Sequence, residues 1–156
     1  IISAMYSSHP YEEVAHYLTN LSNSSQDVGS GMVGDLVEEL SLNDFLSVLK
    51  LNMNLNTIRY TNYRPAAKVK RVAVCGGAGS FLLGKAKAVN ADIFITGDFK
   101  YHEFFDAEED IVIADIGHYE SEAYTKELFY ELLTKKFPNI AVALAKTNTN
   151  PIDYYS

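Results

Sequence analysis

His118, Glu120 and Glu122 crowd the joint between an apolar run and a helical pattern in "DIGHYESEAYTKELF", residues 115–129. A plain strand-to-helix turn needs a single capping side chain at such a joint. If the helix has begun by Tyr119, His118 and Glu122 lie four residues apart and point the same way. Imidazole nitrogen beside carboxylate oxygen suits zinc, manganese or iron better than calcium. The same residues also have a purely structural use. A glutamate complements the positive end of a helix, and Glu120 or Ser121 can supply the cap. Spacing alone leaves both readings open.

Two other loops carry groups capable of chemistry. "TGDFKYHEF", residues 96–104, offers Asp98, His102 and Glu103. Either Asp98 caps the next helix and His102 is solvated, or Asp98 orients a metal-bound imidazole and His102 moves a proton. "CGGAGS", residues 75–80, follows an apolar run and opens a helical one. Backbone N–H groups cradle phosphate in such loops, but this pattern is neither a Walker loop nor G-x-G-x-x-G, and a tight turn accounts for it.

The elements around these loops decide whether the loops can meet. From residue 64 onward, apolar strands alternate with amphipathic helices. "VKRVAVCGG", "DIFITGD", "IVIADIGH" and "NIAVALAK" read as strands, and "GSFLLGKAKAVNA", "KYHEFFDAEED" and "SEAYTKELFYELLTKKFP" as helices. That order predicts βαβ units and a mostly parallel sheet, an α/β class. Ligands of such sheets bind beyond the carboxyl ends of the strands, so Asp98, His118 and Glu122 are expected on one rim, with the last two converging.

The first part reads differently. "IISAMYSS" resembles the end of a helix, and "YEEVAHYLTNL" fits helix or strand. His9 before Pro10 is a turn residue, and His16 a half-exposed one. "SNSSQD" is a polar loop, "VGSGMVGDLVEEL" a strand and "TIRYTNY" a strand. "SLNDFLSVLKLNMN" is a helix capped by Ser41, with Leu42, Phe45, Leu46 and Leu49 on one face. "RPAAK", residues 64–68, is a plausible hinge. Two units are therefore expected: a small α+β unit over 1–63, with helix 41–50 packed on strands that include 57–63, and the α/β unit over 64–156.

Composition narrows the function classes. The chain has 156 residues, 47% of them hydrophobic, which is enough for a packed core. A net charge of −7 repels phosphate backbones and anionic membrane surfaces, and "KVKR", residues 68–71, reads as the solvated face of a strand start. Neither nucleic acid nor membrane is an expected partner. The single cysteine, Cys75, lies in an apolar run and reads as core; one cysteine forms no internal disulfide, so a reducing compartment, the cytoplasm, is expected. No apolar run is long enough to span a bilayer, and no signal peptide is visible. The chain opens without methionine on what reads as the middle of a helix, as a piece of a longer protein would.

"SSHPYEEVAHYL", "VGSGMVGDL", "ITGDFKYHEF" and "IADIGHYESEAYTKELFYELL", in that order, resemble the Nif-three-like family, whose members carry the name GTP cyclohydrolase I type 2 homologue. The resemblance spans nearly the whole chain. It implies that residues 1–63 are most of a PII-like, ferredoxin-like insert domain, incomplete at its N-terminus. Residues 64–156 would be the C-terminal half of the metal-binding domain.

It also implies a divalent-metal site with two ions per full-length subunit, in a ring-shaped homohexamer. On "GHYESE" it implies metal ligands at His118 and Glu122, and on "TGDFKYHEF" it places Asp98 and His102 in the pocket, as catalytic groups or as supports beside the ligands. The other family ligands, an adjacent His-His pair and an aspartate, are absent from these 156 residues. The implied function is a di-metal hydrolase acting on a nucleotide or phosphoester, or alternatively a non-catalytic metal-binding scaffold or regulatory protein. By itself this chain is expected to associate at least as a dimer and to hold metal poorly.

Overall fold

Ile93–Gly97 and Val112–Asp115 are unbroken apolar runs ending in a polar residue or glycine, and each forms a strand buried on both faces. That is the pattern of a parallel strand covered on two sides. A computed structural model describes residues 1–20, 22, 28–62 and 67–155 of the chain. Its elements are helix α1 (Ile2–Ser8), strand β1 (Met32–Ser41), helix α2 (Leu42–Asn52), strand β2 (Arg59–Tyr60), strand β3 (Lys68–Ala78), helix α3 (Leu83–Ala88), strand β4 (Ile93–Gly97), strand β5 (Val112–Asp115) and helices α4 (His118–Glu122) and α5 (Thr125–Lys136). Short 3₁₀ turns lie at Ser80–Leu82 and Tyr101–Ala107.

The strands make one five-stranded sheet in the order β1-β3-β4-β5-β2. β3, β4 and β5 are parallel, as expected for consecutive βαβ units. β1 and β2 close the two edges antiparallel. The sheet is thus mixed, with a parallel centre.

Two apolar layers cover it. On one face Cys75, Phe94, Phe99, Ile111 and Ile113 pack with Leu83 and Ala86 of α3. On the other, Val69, Ile93, Ile95, Val112 and Ala114 pack with Leu42 and Phe45 of α2. The start of α2 is as its sequence predicts. The Ser41 hydroxyl accepts from the Asp44 N–H at 3.2 Å and donates to the Asp44 carboxylate at 2.6 Å.

The expected division into units at residues 63 and 64 needs correction. β1 pairs with β3, β2 pairs with β5, and α2 packs on the shared sheet, so residues 32–60 build the same layer structure as residues 67–116. The driving interactions are non-local. Asp35 takes a forked pair of bonds from Arg71 (2.8 and 3.1 Å), and Glu39 pairs with Lys68 at 2.8 Å. Lys68 and Arg71 of "KVKR" therefore face acids across the strand pair, in keeping with the register of β1, and Lys70 donates to the Val37 carbonyl at 2.8 Å. Of the expected hinge at 64–68, residues 64–66 lie outside the described residues, as do residues 23–27 of "SNSSQD".

Three local expectations also change. "YEEVAHYLTNL" is neither helix nor strand over its described residues, and Tyr17 and Leu18 are exposed. "NIAVALAK" is not a strand; the outer edge of β5 is already occupied by β2, and Ile140 and Leu144 lie exposed. The long helix starts earlier than Ser121, as α4 at His118, and breaks before α5. No helix among the described residues is long and apolar enough to cross a membrane.

Candidate metal site at the strand-end rim

The carboxyl ends of β3, β4 and β5 bring Gly77, Asp98 and His118 to one rim. His118 is the first residue of α4 and Glu122 the last, so both project from one helical face. His118 Nδ1 lies 2.7 Å from Asp98 Oδ2, and His118 Nε2 lies 3.4 Å from Glu122 Oε2. Asp98, His118 and Glu122 line a hollow of about 700 Å³, whose far wall is the C-terminal segment 147–152. The structure brings these three together as expected. It does not bring His102 to them: that side chain stands exposed on the 3₁₀ turn and is not among the residues lining the hollow.

Close backbone packing holds the cluster. Gly77 has φ +64°, and a Cβ there would lie 2.6 Å from Glu122 Oε1 and 3.3 Å from His118 Cε1. The Gly77 N–H donates to Ser121 Oγ (2.8 Å), and the Ser121 hydroxyl donates to the His118 carbonyl (2.7 Å). The buried Thr96 hydroxyl donates to the Gly77 carbonyl at 3.0 Å. "CGGAGS" is therefore a floor for Glu122 and α4, and its first residues extend β3. Gly77→Ala is expected to destabilise the fold by about 1–2 kcal/mol through its left-handed backbone and to push Glu122 aside. A denaturant midpoint reads the first effect and a metal titration the second.

Asp98 is itself left-handed, with φ +59°, a conformation that aspartate tolerates better than most residues. Asp115, at the end of β5, holds this corner from behind. Its side chain is 3% exposed and accepts from the Arg59 guanidinium, from the Phe99 N–H (3.0 Å) and from the Gly117 N–H (2.9 Å). Arg59 also donates to the Phe99 carbonyl (3.0 Å) and lies over the Phe104 ring. Neither Asp115 nor Arg59 stood out in the sequence. The available signal was a carboxylate ending an apolar strand, a position that is buried and must find donors.

The electrostatics follow from the contacts. The His118 pKa is raised above 6.5, first by the hydrogen bond to Asp98 and then by the charges of Asp98 and Glu122, which outweigh a lowering by desolvation. The fold favours the charged imidazole, so this contribution to stability is full below about pH 6.5 and is lost as pH rises through the raised folded value. Asp98→Asn is expected to bring the His118 midpoint down, observable by NMR titration of its ring protons; an unchanged midpoint would contradict the pairing. The Cys75 thiol is pushed up, first by burial and then by the Glu122 charge, and it donates to the Ser30 carbonyl at 3.2 Å. It behaves as core, as its apolar run implied. Tyr154 reaches back to the rim: its hydroxyl would lie 3.3 Å from a Cβ on Gly117. Its pKa is raised, first by burial and then by Glu120.

The donor set can be tested against a metal. With Asp98 accepting the Nδ1 proton, the Nε2 lone pair of neutral His118 faces Glu122. When His118 is protonated, Nε2–H faces the Glu122 carboxylate as an ion pair; when it is neutral, a metal cation can take the proton's place. Donors held at about 2.0–2.1 Å in a tetrahedral shell stand about 3.4 Å apart, and Nε2 and Oε2 are separated by 3.4 Å. The pair fits two neighbouring positions of one shell. Among the described residues, no group of three or more His, Cys, Asp and Glu side chains is placed to hold a metal ion.

Comparison with known proteins places this geometry in context. The family model described as Duf34/NIF3 (NGG1p interacting factor 3) matches residues 6–151. A Staphylococcus epidermidis protein named GTP cyclohydrolase 1 type 2 homolog is 34% identical over 156 residues, covering 97% of this chain and 42% of its own length. A Bacillus cereus protein related to NIF3 superposes with a TM-score of 0.71 at 32% identity, over 99% of this chain and 43% of that one. A Staphylococcus aureus protein gives a TM-score of 0.74 at 28% identity, over 99% and 51%. The chain spans less than half the length of the curated relative it matches.

Proposed function

The chain belongs to the Duf34/NIF3 family, and on that premise we propose that it is a divalent-metal-binding protein whose rim hollow serves a hydrolytic reaction. The observation that carries this reading is the pair His118 Nε2 and Glu122 Oε2, 3.4 Å apart, with the opposite ring nitrogen held by Asp98. His118 and Glu122 would hold the metal. A bound divalent ion supplies Lewis-acid polarisation and a water acidic enough to yield hydroxide near neutral pH.

The chain's own residues do the rest. Asp98 fixes the His118 tautomer, Ser121 braces the start of α4, and Gly77 leaves room for Glu122. Two donors are fewer than the three or four that a zinc-type ion takes. We place the remaining donors outside these 156 residues, which agrees with the greater length of the relatives. On this reading His118 and Glu122 would present the ion to a substrate bound in the hollow. A nucleotide or phosphoester is the substrate class proposed, and the relative's name, GTP cyclohydrolase 1 type 2 homolog, is consistent with it.

The test pairs metal titration with turnover. The intact, metal-loaded protein is expected to hydrolyse at least one member of a nucleotide and phosphoester panel, and Glu122→Gln to abolish that turnover. Metal binding with no turnover across the panel would favour the second reading, a non-catalytic scaffold, which the incomplete donor set supports. No metal binding at all would defeat both.

Self-association is part of the same proposal. α5 buries no residue, and Leu128, Phe129 and Leu132 are all more than half exposed. An apolar face of that kind is normally covered. Light scattering of this chain is expected to report at least a dimer, and a monomer would remove this part.

A further inference from the structure

A cavity of about 370 Å³ lies between edge strand β2 and the 3₁₀ turn Tyr101–Ala107. No described residue lines both this cavity and the rim hollow. Tyr101, Phe104 and Phe105 contribute aromatic wall, and the rings of Tyr101 and Phe105 meet edge to face with centroids 5.6 Å apart. Those two side chains are 79% and 55% exposed, so ring surface is open to a ligand. Arg59 is the only charged side chain among the described residues that line the cavity. The buried Asp115 carboxylate and the Phe99 carbonyl hold its guanidinium, which lies 5.5 Å from the centroid of Phe104. Its hydrogen bonds to described residues both run through Nη2. A guanidinium carries five N–H groups, so donors remain on Nη1 and Nε. A donor already fixed in place loses little freedom on binding. Charge decides what those donors suit. Asp115 counters the guanidinium at contact, and the whole chain carries −7. A second anion would meet the charge of Asp115 as well as that of Arg59, so its attraction largely cancels. A neutral acceptor takes the N–H groups without that penalty. Asn62 adds an amide to the lining, both donor and acceptor.

We infer that this cavity is a second binding site, for an uncharged, flat ring compound bearing a carbonyl-type acceptor. The ring lies against Tyr101 and Phe105, and Arg59 donates to the acceptor. The volume is within the range of small-ligand pockets, about 300–1,000 Å³. The inference goes beyond the metal reading and does not rest on it. Nucleotides and phosphoesters carry charge and are the wrong class for this cavity, and His118 and Glu122 take no part in it.

The experiment uses neutral 2-naphthamide and anionic 2-naphthoate, which share one ring system. Each is titrated into the intact protein by calorimetry, first metal-stripped and then with saturating zinc. Naphthamide is expected to bind more tightly than naphthoate. Arg59→Ala is expected to weaken naphthamide by about tenfold or more, the scale of a hydrogen bond to a charged group. Phe105→Ala, at an exposed side chain, is expected to weaken both probes, and it carries the test if Arg59→Ala does not fold. Zinc is expected to leave naphthamide binding unchanged. Absence of saturable naphthamide binding would overturn the inference, as would equal or tighter binding of naphthoate. Indifference to either substitution would do the same. So would displacement of naphthamide by zinc, which would put the probe at the rim. Zinc titration alone reports the metal reading. If zinc does not bind, that reading fails, and the metal-stripped comparison still decides this one.

Discussion

Replacing His118 by alanine is expected to lower the affinity for zinc or manganese by at least about hundredfold. The magnitude follows from comparison with weaker perturbations. Removing a group that only orients a metal-bound imidazole costs about 10–100-fold, and loss of the imidazole itself should exceed that. Asp98→Asn supplies the weaker case, because the amide can still occupy the place 2.7 Å from Nδ1 but no longer attracts its proton as a carboxylate does. Glu122→Gln should resemble His118→Ala more closely than Asp98→Asn. The ordering His118→Ala, then Glu122→Gln, then Asp98→Asn is therefore part of the prediction. Competition titrations against a chromophoric chelator on metal-stripped protein measure it. None of the three changes should disturb the core, since the side chains are about half exposed. Unchanged affinity in His118→Ala would remove His118 from the ligand set. Affinity of the unmodified protein should also fall as pH drops through the raised His118 value, because proton and metal compete for Nε2, and His118→Ala should lose that pH dependence.

Much of this site was legible in the order of residues because its determinants are local. The four-residue interval between His118 and Glu122 becomes one helical face as soon as α4 forms. The apolar runs of β4 and β5 announce strands covered on both sides, and their parallel pairing puts Asp98 beside His118. What was not legible depends on distant partners. β1 reads locally as an isolated strand, and its place at the edge of the main sheet comes from its antiparallel ladder with β3, which also brings Asp35 to Arg71 and Glu39 to Lys68. "NIAVALAK" has a strand's composition, but composition does not say whether an edge is free. His102 shared a loop with Asp98, yet the 3₁₀ turn at Tyr101–Ala107 leaves it exposed. Asp115 was read as part of a strand end, and its partners include the Phe99 N–H, 16 residues earlier, and Arg59, 56 residues earlier in the chain.

Asp115→Ala should produce the largest loss of stability of any single change at the rim, about 2–4 kcal/mol. The ion pair with Arg59 is not the main reason. Arg59 is 58% exposed and can return to water, and Asp115, 3% exposed, keeps two backbone N–H donors for its charge. The larger effect lies with the backbone. Asp115 accepts the N–H groups of Phe99 and Gly117, and the Phe99 bond is buried. Removing a buried acceptor leaves each donor with a desolvation penalty of about 1–3 kcal/mol. Against a total stability of about 5–15 kcal/mol, that is a large fraction, and for a chain of this size it corresponds to a fall in melting temperature on the order of 10 °C. Arg59→Ala separates the two contributions: it removes the ion pair, leaves both N–H groups satisfied, and should cost well under half as much. Asp115→Asn should fall between them, because its amide keeps one acceptor oxygen but turns a second donor toward donors. The same substitutions read on function. Asp115 ties the loop that carries Asp98 to the turn that precedes His118, so loosening it separates the two partners of the 2.7 Å contact. Metal affinity should therefore fall in Asp115→Ala even at temperatures where the protein remains folded, and should be nearly untouched in Arg59→Ala. Equal destabilisation by Arg59→Ala and Asp115→Ala would show that the ion pair, not the backbone donors, holds the rim.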